Sequence, residues 1–291
     1  MPSFSNKKQL RFVIQLGKGT FDASDNNIIT FQGFRASATI EKAGGVQMGT
    51  LDARIYGVAM QDMNSLTSLQ WSVDYATKNV IQVFAIDGEV ESMVFSGTIL
   101  KAWGNYNAPP DVYLDIQANT AHIPLITASK PITFKDEKDV SELMSDIAKA
   151  MNFQFENNNV HSKIRDVYLA GTLIDQAREL AFAADFDLYI NDTTVAITNK
   201  YSPRAGDIPE ISPESGMIGY PTFDSIGVTL RTMYNPAIIF GGSISVVSAI
   251  EKASGQWTVA CLSHLLEAET IGGAWQSTIR GVFNGRTAIV K

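Results

Sequence analysis

Apolar and polar residues alternate over short stretches along the first part of the chain. In Thr50-Leu51-Asp52-Ala53-Arg54-Ile55-Tyr56, Leu51, Ala53 and Ile55 fall on one side and Asp52 and Arg54 on the other. Successive side chains of a pleated strand point to opposite faces, so a period of two predicts a half-buried β-strand. The same reading predicts strands at 10–16, 28–31, 34–40, 80–86, 92–99 and 112–118. Turns are marked by Gly17-Lys18-Gly19, Asp25-Asn26-Asn27, Gly44-Gly45 and the hairpin signal Asp87-Gly88-Glu89. A short helix is predicted over 60–69, where Met63, Leu66 and Leu69 recur every third residue.

The pattern changes near Ile126. Asp139-Val140-Ser141-Glu142 predicts a helix start, because its side chains can satisfy the open amides of the first turn. Val140, Leu143, Met144, Ile147 and Met151 follow at helical spacing, and Leu173, Ile174, Ala177, Leu180 and Ala181 mark a second helix after Gly171-Thr172. Asp187–Ile190 and Thr194–Thr198 flank Asn191-Asp192-Thr193 as a hairpin. Beyond the Pro/Gly connection 201–209, strands return at 227–233, 243–247, 257–262 and 275–280. The expected fold is mainly β: two small antiparallel β-barrel-like domains with an inserted α+β module. The expected units are 1–125, 126–200 and 201–291, the last completing the second barrel, and the only substantial helices are the two of the module.

Composition narrows the function. Hydrophobic residues make up 45% of the chain and charged residues 18%, so apolar surface is left over for a partner to cover. The net charge of −7 argues against binding nucleic acid or an anionic membrane, both of which need clustered Lys and Arg. With Cys261 as the single cysteine, no internal disulfide forms, which suits a reducing cytoplasm. The first nine residues carry no secretory apolar core, and the most apolar stretch, 237–247, is interrupted by Gly241-Gly242-Ser243 and too short to cross a bilayer.

Candidate chemistry is sparse. His122, His161 and His264 stand apart, with no His/Cys set at zinc spacing, so no metal site is expected. Cys261 sits in a strand pattern and reads as a packed apolar residue. Gly241-Gly242-Ser243 does not precede a helix and reads as a turn or bulge rather than a phosphate cradle. Glu267 and Glu269 near His264 suggest acid/base work, but a polar segment between strands gives the same pattern. No catalytic residue and no cofactor is therefore expected. Trp103, Tyr106, Pro109 and Pro110 form an aromatic and proline-rich connection after the strand ending near residue 100. It reads either as a partner-interface anchor or as a rigid loop whose Trp caps the barrel end.

The C-terminal region resembles the baseplate hub proteins of contractile-tailed bacteriophages. The resemblance lies in the order of Met233-Tyr234-Asn235-Pro236, Phe240-Gly241-Gly242-Ser243, Gly255-Gln256-Trp257, His264-Leu265-Leu266 and Trp275-Gln276-Ser277. The capped helix pair with its hairpin, and Phe95-Ser96-Gly97-Thr98-Ile99 before a Pro-Asp loop, fit the same family. The resemblance implies a non-enzymatic virion protein, made in the host cytoplasm, whose homotrimeric ring adapts the tail tube protein to the central spike protein. Other baseplate proteins would attach around it, and DNA would pass through without being bound or any membrane anchor being used. The alternative is a tail-associated cell-wall-degrading enzyme or carbohydrate-binding β module, since fold alone does not decide function.

Overall fold

The computed structural model describes residues 7–17, 20–21, 25–43, 48–67, 79–107, 109–224 and 227–283. The predicted turns at Lys18-Gly19 and Gly44-Gly45, and the predicted helix end at Leu69, lie outside them.

The alternating stretches form strands, and the chain is mainly β. In the first region these are β1 (Lys8–Gln15), β2 (Ile28–Gln32), β3 (Ala36–Ala43), β4 (Thr50–Tyr56), β5 (Val80–Asp87), β6 (Val90–Asn105) and β7 (Tyr113–Asn119), with α1 (Met60–Leu66) after β4. The alternation predicted for β4 is observed: Leu51, Ala53 and Ile55 are buried, and Asp52 and Arg54 are exposed. Gly88 and Glu89 turn β5 into β6, and Gly88 takes φ +65°, a conformation that glycine adopts without steric cost. β6 is longer than predicted. A bulge between Ile99 and Lys101 leaves Leu100 without an opposite residue, and the ladder with β7 then resumes to Asn105.

The middle of the chain forms an α+β module. Its elements are α2 (His122–Ile126), β8 (Ile132–Phe134), β9 (Lys138–Asp139), α3 (Val140–Ala150), β10 (Gln154–Asn158), β11 (Lys163–Ile164), β12 (Val167–Leu169), α4 (Leu173–Ala183), β13 (Phe186–Asn191) and β14 (Thr194–Asn199). Among the described residues α3 and α4, at eleven residues each, are the longest helices, as the pattern predicted. The Asp139 carboxylate accepts from the Ser141 amide at 2.7 Å, capping α3. Thr172 and Asp175 form the full reciprocal capping box on α4. The apolar faces of both helices close over β10, β13 and β14 in a core built around Met144, Ile147, Ile174, Leu180, Val195 and Ile197.

The C-terminal region supplies β15 (Glu210–Ile211), β16 (Met217–Phe223), β17 (Gly227–Met233), β18 (Ser243–Val246), β19 (Gly255–Ala268) and β20 (Trp275–Phe283). Its core gathers Ile211, Val228, Leu230, Phe240, Ile244 and Ile279 with Trp257, Val259 and Leu262 of β19. The two β regions are not separate sheets. One path, β16-β17-β20-β19-β3-β4-β7-β6-β5-β1-β2, carries both, with β18 and β15 branching from β19. β19 joins them by pairing with β20 on one side and β3 on the other. Its fourteen residues bury Trp257, Val259 and Leu262 in the C-terminal core and Leu266 and Ala268 in the N-terminal one, which also takes in Tyr234 and Trp275. β1 lies near β19 without a ladder joining them, so no closed barrel is described; the ion pair of Lys7 with Glu269 ties their ends together at 2.8 Å.

Candidate partner surface and buried polar junction

Trp103 stands on β6 rather than in a loop, because the bulge before it keeps β6 paired with β7 and sets Trp103 opposite Asp115. Ala102 points into the N-terminal core, so Trp103 faces away from it, 36% exposed, with the Lys101 ammonium 6.0 Å from its ring. Tyr106 is 40% exposed and folds back over Gly104, where a Cβ would stand 2.5 Å from the phenolic oxygen. Pro109 and Pro110 are exposed beyond it. The root of this connection is held by stacked polar and aromatic groups. Asp111 pairs with Arg35 at 2.5 Å, the Arg35 guanidinium lies 3.8 Å over the Tyr56 ring, and Tyr56 packs on Tyr113. The Asn105 amide donates to the Tyr113 hydroxyl at 2.8 Å. The structure thus brings the four predicted interface residues to one end of the β6–β7 hairpin.

Sequence reading missed other exposed apolar positions, among them Phe182, Tyr220 and Phe223. Phe182 on α4 is 91% exposed, and Tyr220 and Phe223 project from β16, which among the described residues pairs only with β17 and forms an edge of the sheet. An unpaired strand edge bearing aromatics is a surface that another chain can cover.

The candidate acid/base residues are not assembled for catalysis. The segment holding them is the end of β19 and the turn after it. Glu267 accepts from the Ala274 amide at 2.7 Å, and Glu269 is held by Lys7 and Gln9. Cys261 is half-buried rather than packed in a core, because the bulge between Val259 and Cys261 shifts the alternation and turns Leu262 inward instead. Gly241 is a close-approach turn: it has φ +80°, and a Cβ there would meet the Tyr189 ring at 2.8 Å. Among the described residues no group of three or more His, Cys, Asp or Glu is placed to hold a metal ion, and no helix is long and apolar enough to cross a membrane.

The most concentrated polar chemistry lies at a buried junction where all three regions meet. Asp192, at the tip of the β13–β14 hairpin, accepts from the Lys42 ammonium at 2.6 Å and from the Ser96 amide at 3.2 Å. Both charged side chains are buried, so each compensates the desolvation of the other. On β19, His264 lies between the residues that enter one core and those that enter the other; its Nδ1 is 2.8 Å from the Ser277 hydroxyl. The Tyr234 ring packs edge-on against His264, and its hydroxyl is 2.7 Å from that of Ser92. Burial, and secondarily the Lys42 charge, pull the His264 pKa down to about 3, so the imidazole is neutral near pH 7 and ill-suited to proton transfer there. Burial lifts Tyr234 to about 12, the Ser92 hydrogen bond working against it and the Asp192 charge with it. A second polar link lies nearby: Arg204 grips Glu156 through two bonds, at 2.6 and 3.1 Å, and donates to the Phe240 carbonyl at 3.0 Å. Burial pushes the Glu156 carboxyl up, but hydrogen bonds from Arg204 and Asn158 and the Arg204 charge outweigh it and hold the group below the usual range.

Two crevices flank the hairpin. One, about 450 Å³, runs between the hairpin tip, α2 and β6; the other, about 470 Å³, lies between α4, β13 and Phe240.

The family model for baseplate hub gp41 matches residues 16–270. The chain belongs to this family. None of the curated proteins matches this baseplate hub chain in sequence. Among solved structures, the tail protein from Neisseria meningitidis MC58 superposes with a TM-score of 0.63 at 9% identity, over 95% of this chain and 97% of the other. The 43 kDa tail protein of prophage MuSo2 from Shewanella oneidensis gives 0.60 at 10% identity, over 96% and 97%. The Escherichia coli c3393 protein, a type VI secretion component described as similar to phage T4 tail proteins gp27 and gp5, gives 0.51 at 8% identity over 89% and 77%. At these identities the likeness is one of fold. Together with the family it makes this chain a structural component of a bacteriophage tail baseplate.

Proposed function

We propose that three copies of this chain form a ring that adapts the tail tube protein to the central spike protein, without cofactor and without catalysis. The observation that carries the reading is the continuous sheet that wraps two cores in one chain. Three such chains offer six β units around an axis, enough to meet a tube of higher symmetry on one side and a three-fold spike on the other. We take residues 1–125 and 201–291 as two comparable units around the inserted module 126–200, with β19 and β20 lending their ends to the first core. Heterologous contacts repeated by identical subunits close into a ring when the rotation is right. Trp103, Tyr106, Pro109 and Pro110 are proposed as anchors of a partner contact, because rigidly rooted aromatics lose little entropy on docking. The particle would carry the protein in its baseplate, after synthesis in the host cytoplasm and assembly with other baseplate proteins.

Imaging the assembled tail tip tests this. Three-fold density for this chain between tube and spike is the expected result; a six-fold or monomeric state would overturn it. Activity of the purified chain on peptidoglycan would instead favour a cell-wall enzyme.

A further inference from the structure

The α+β module has a hydrophobic core of its own, distinct from the two cores of the large sheet. It enters from β7 through Ala121 and leaves β14 through Tyr201, and both residues take positive φ, 54° and 60°. Non-glycine residues there are held by their surroundings against a steric cost. Between these two crossings apolar and polar contacts join the module to the sheet. Tyr189 packs edge-on to Phe240, and Met48 touches the module core. Charged and polar links join them as well: Asp192 to Lys42 and Ser96, Glu156 to Arg204, and the Asn158 side-chain oxygen, which accepts from the Ala205 amide at 2.7 Å. The two crevices, about 450 and 470 Å³, lie on either side of the hairpin that carries Asp192. Close packing resists sliding, because any displacement forfeits contacts on every side. An interface split by crevices and tied by ion pairs lacks that resistance and depends on the ties.

We propose that the Lys42–Asp192 and Arg204–Glu156 pairs are latches holding the module in one of its accessible orientations, and that the module pivots as a unit about Ala121 and Tyr201 when they open. Each latch joins different parts. Asp192 binds the module to β3 and β6 of the N-terminal region. Arg204 sits on the exit connection and joins Glu156 of β10 to the Phe240 carbonyl of the C-terminal region. Opening one leaves the other as a tether, so both must be released for the full swing, and the Asn158–Ala205 bond with them. Because the Lys42–Asp192 pair is buried, salt screens it little, and what opens it must supply a replacement for the lost partner. This device rests on the isolated chain and is independent of the ring proposed above.

The test uses the full chain with Cys261→Ser and spin labels at Asp52→Cys on β4 and Glu179→Cys on α4, both exposed positions. With native latches the label–label distance distribution is expected to be narrow. In Asp192→Asn with Glu156→Gln and Asn158→Ala, which remove both carboxylate charges and the Ala205 tie, it is expected to broaden or shift, with amide protection in β1 and β14 unchanged. Lys149→Ala, which breaks the exposed pair with Asp146, is expected to leave the distribution narrow. An unchanged distribution in the triple variant would overturn the proposal. So would loss of protection in both cores, since the pairs would then be requirements for folding rather than latches.

Discussion

At His264 the cost of burial decides the charge. The ring is enclosed by β3, β20 and the segment after β17, and the charged or titratable groups facing this junction are Lys42, Asp192 and Tyr234. A second positive charge beside Lys42, away from water, is disfavoured, and the folded pKa falls to about 3 from an ordinary 6.5. The unfolded chain therefore takes up a proton between these values while the folded chain does not. Stability contributed by the neutral imidazole is present above about pH 6.5 and is lost as the pH falls toward 3. Between pH 7 and pH 5 this one group is expected to cost about 2 kcal/mol. Urea midpoints at the two pH values, compared between the native chain and His264→Gln, isolate it from the carboxylates. A difference as steep in the variant as in the native chain would contradict the assignment. Nothing in the sequence near His264 announces this setting, because Lys42 and Asp192 lie far away along the chain.

The elements show where local pattern suffices and where it does not. Both helices of the module were legible, since apolar residues at helical spacing name the buried face and Asp139 and Thr172 are capping residues in place. The full capping box belongs to Thr172, whose hydroxyl accepts from the Asp175 amide at 3.1 Å while the Asp175 carboxylate accepts from the Thr172 amide at the same distance. Hydrogen bonds from the Thr172 hydroxyl and amide hold the Asp175 carboxyl below its usual range. Thr172→Ala is expected to cost about 1 kcal/mol, seen as faster amide exchange in the first turn of α4 with α3 unaffected. No change in that turn would mean the box is redundant. β16 was not legible because Gly219 and Pro221 interrupt its pattern; proline is tolerated at a sheet edge or a bulge, and β16 is an edge strand with a bulge between Ile218 and Thr222. The short strands β8, β9, β11 and β12 pair two or three residues each, too few to show a period. β6 was cut short because a bulge resets the alternation midway, and the partner strand that carries the ladder past it is not visible locally. Gln176 lies on the buried face of α4, where its amide donates to the Lys130 carbonyl at 3.0 Å; a polar residue there reads as solvent-facing until its partner is known. Of the candidate site, Trp103 and Tyr106 were legible by residue type, and the polar junction was not, because it is made by long-range pairs.

On the scale of the whole molecule, a sheet shared between two cores couples the β regions more tightly than a linker would, because β19 cannot shift in one core without moving in the other. Such a body suits a ring element that must keep its bore open under load. The proposed ring would surround the path of the genome, and the chain carries 30 acidic against 23 basic residues. Several of its cations are already engaged: Lys42, Arg204, Arg11, Arg35 and Lys8 each pair with a carboxylate. Phosphate binding draws on released counterions and grows steeply as salt falls, so a wall rich in unpaired Lys and Arg would hold the strand. A wall in which carboxylates match or exceed them repels it, so DNA would slide through the proposed ring once the spike had left. The purified ring is therefore expected to retain no duplex DNA in a filter or gel-shift assay, even at low salt. Retention that disappears as salt is raised would reveal a basic lining that the overall charge conceals, and would set the inner wall apart from the rest of the surface.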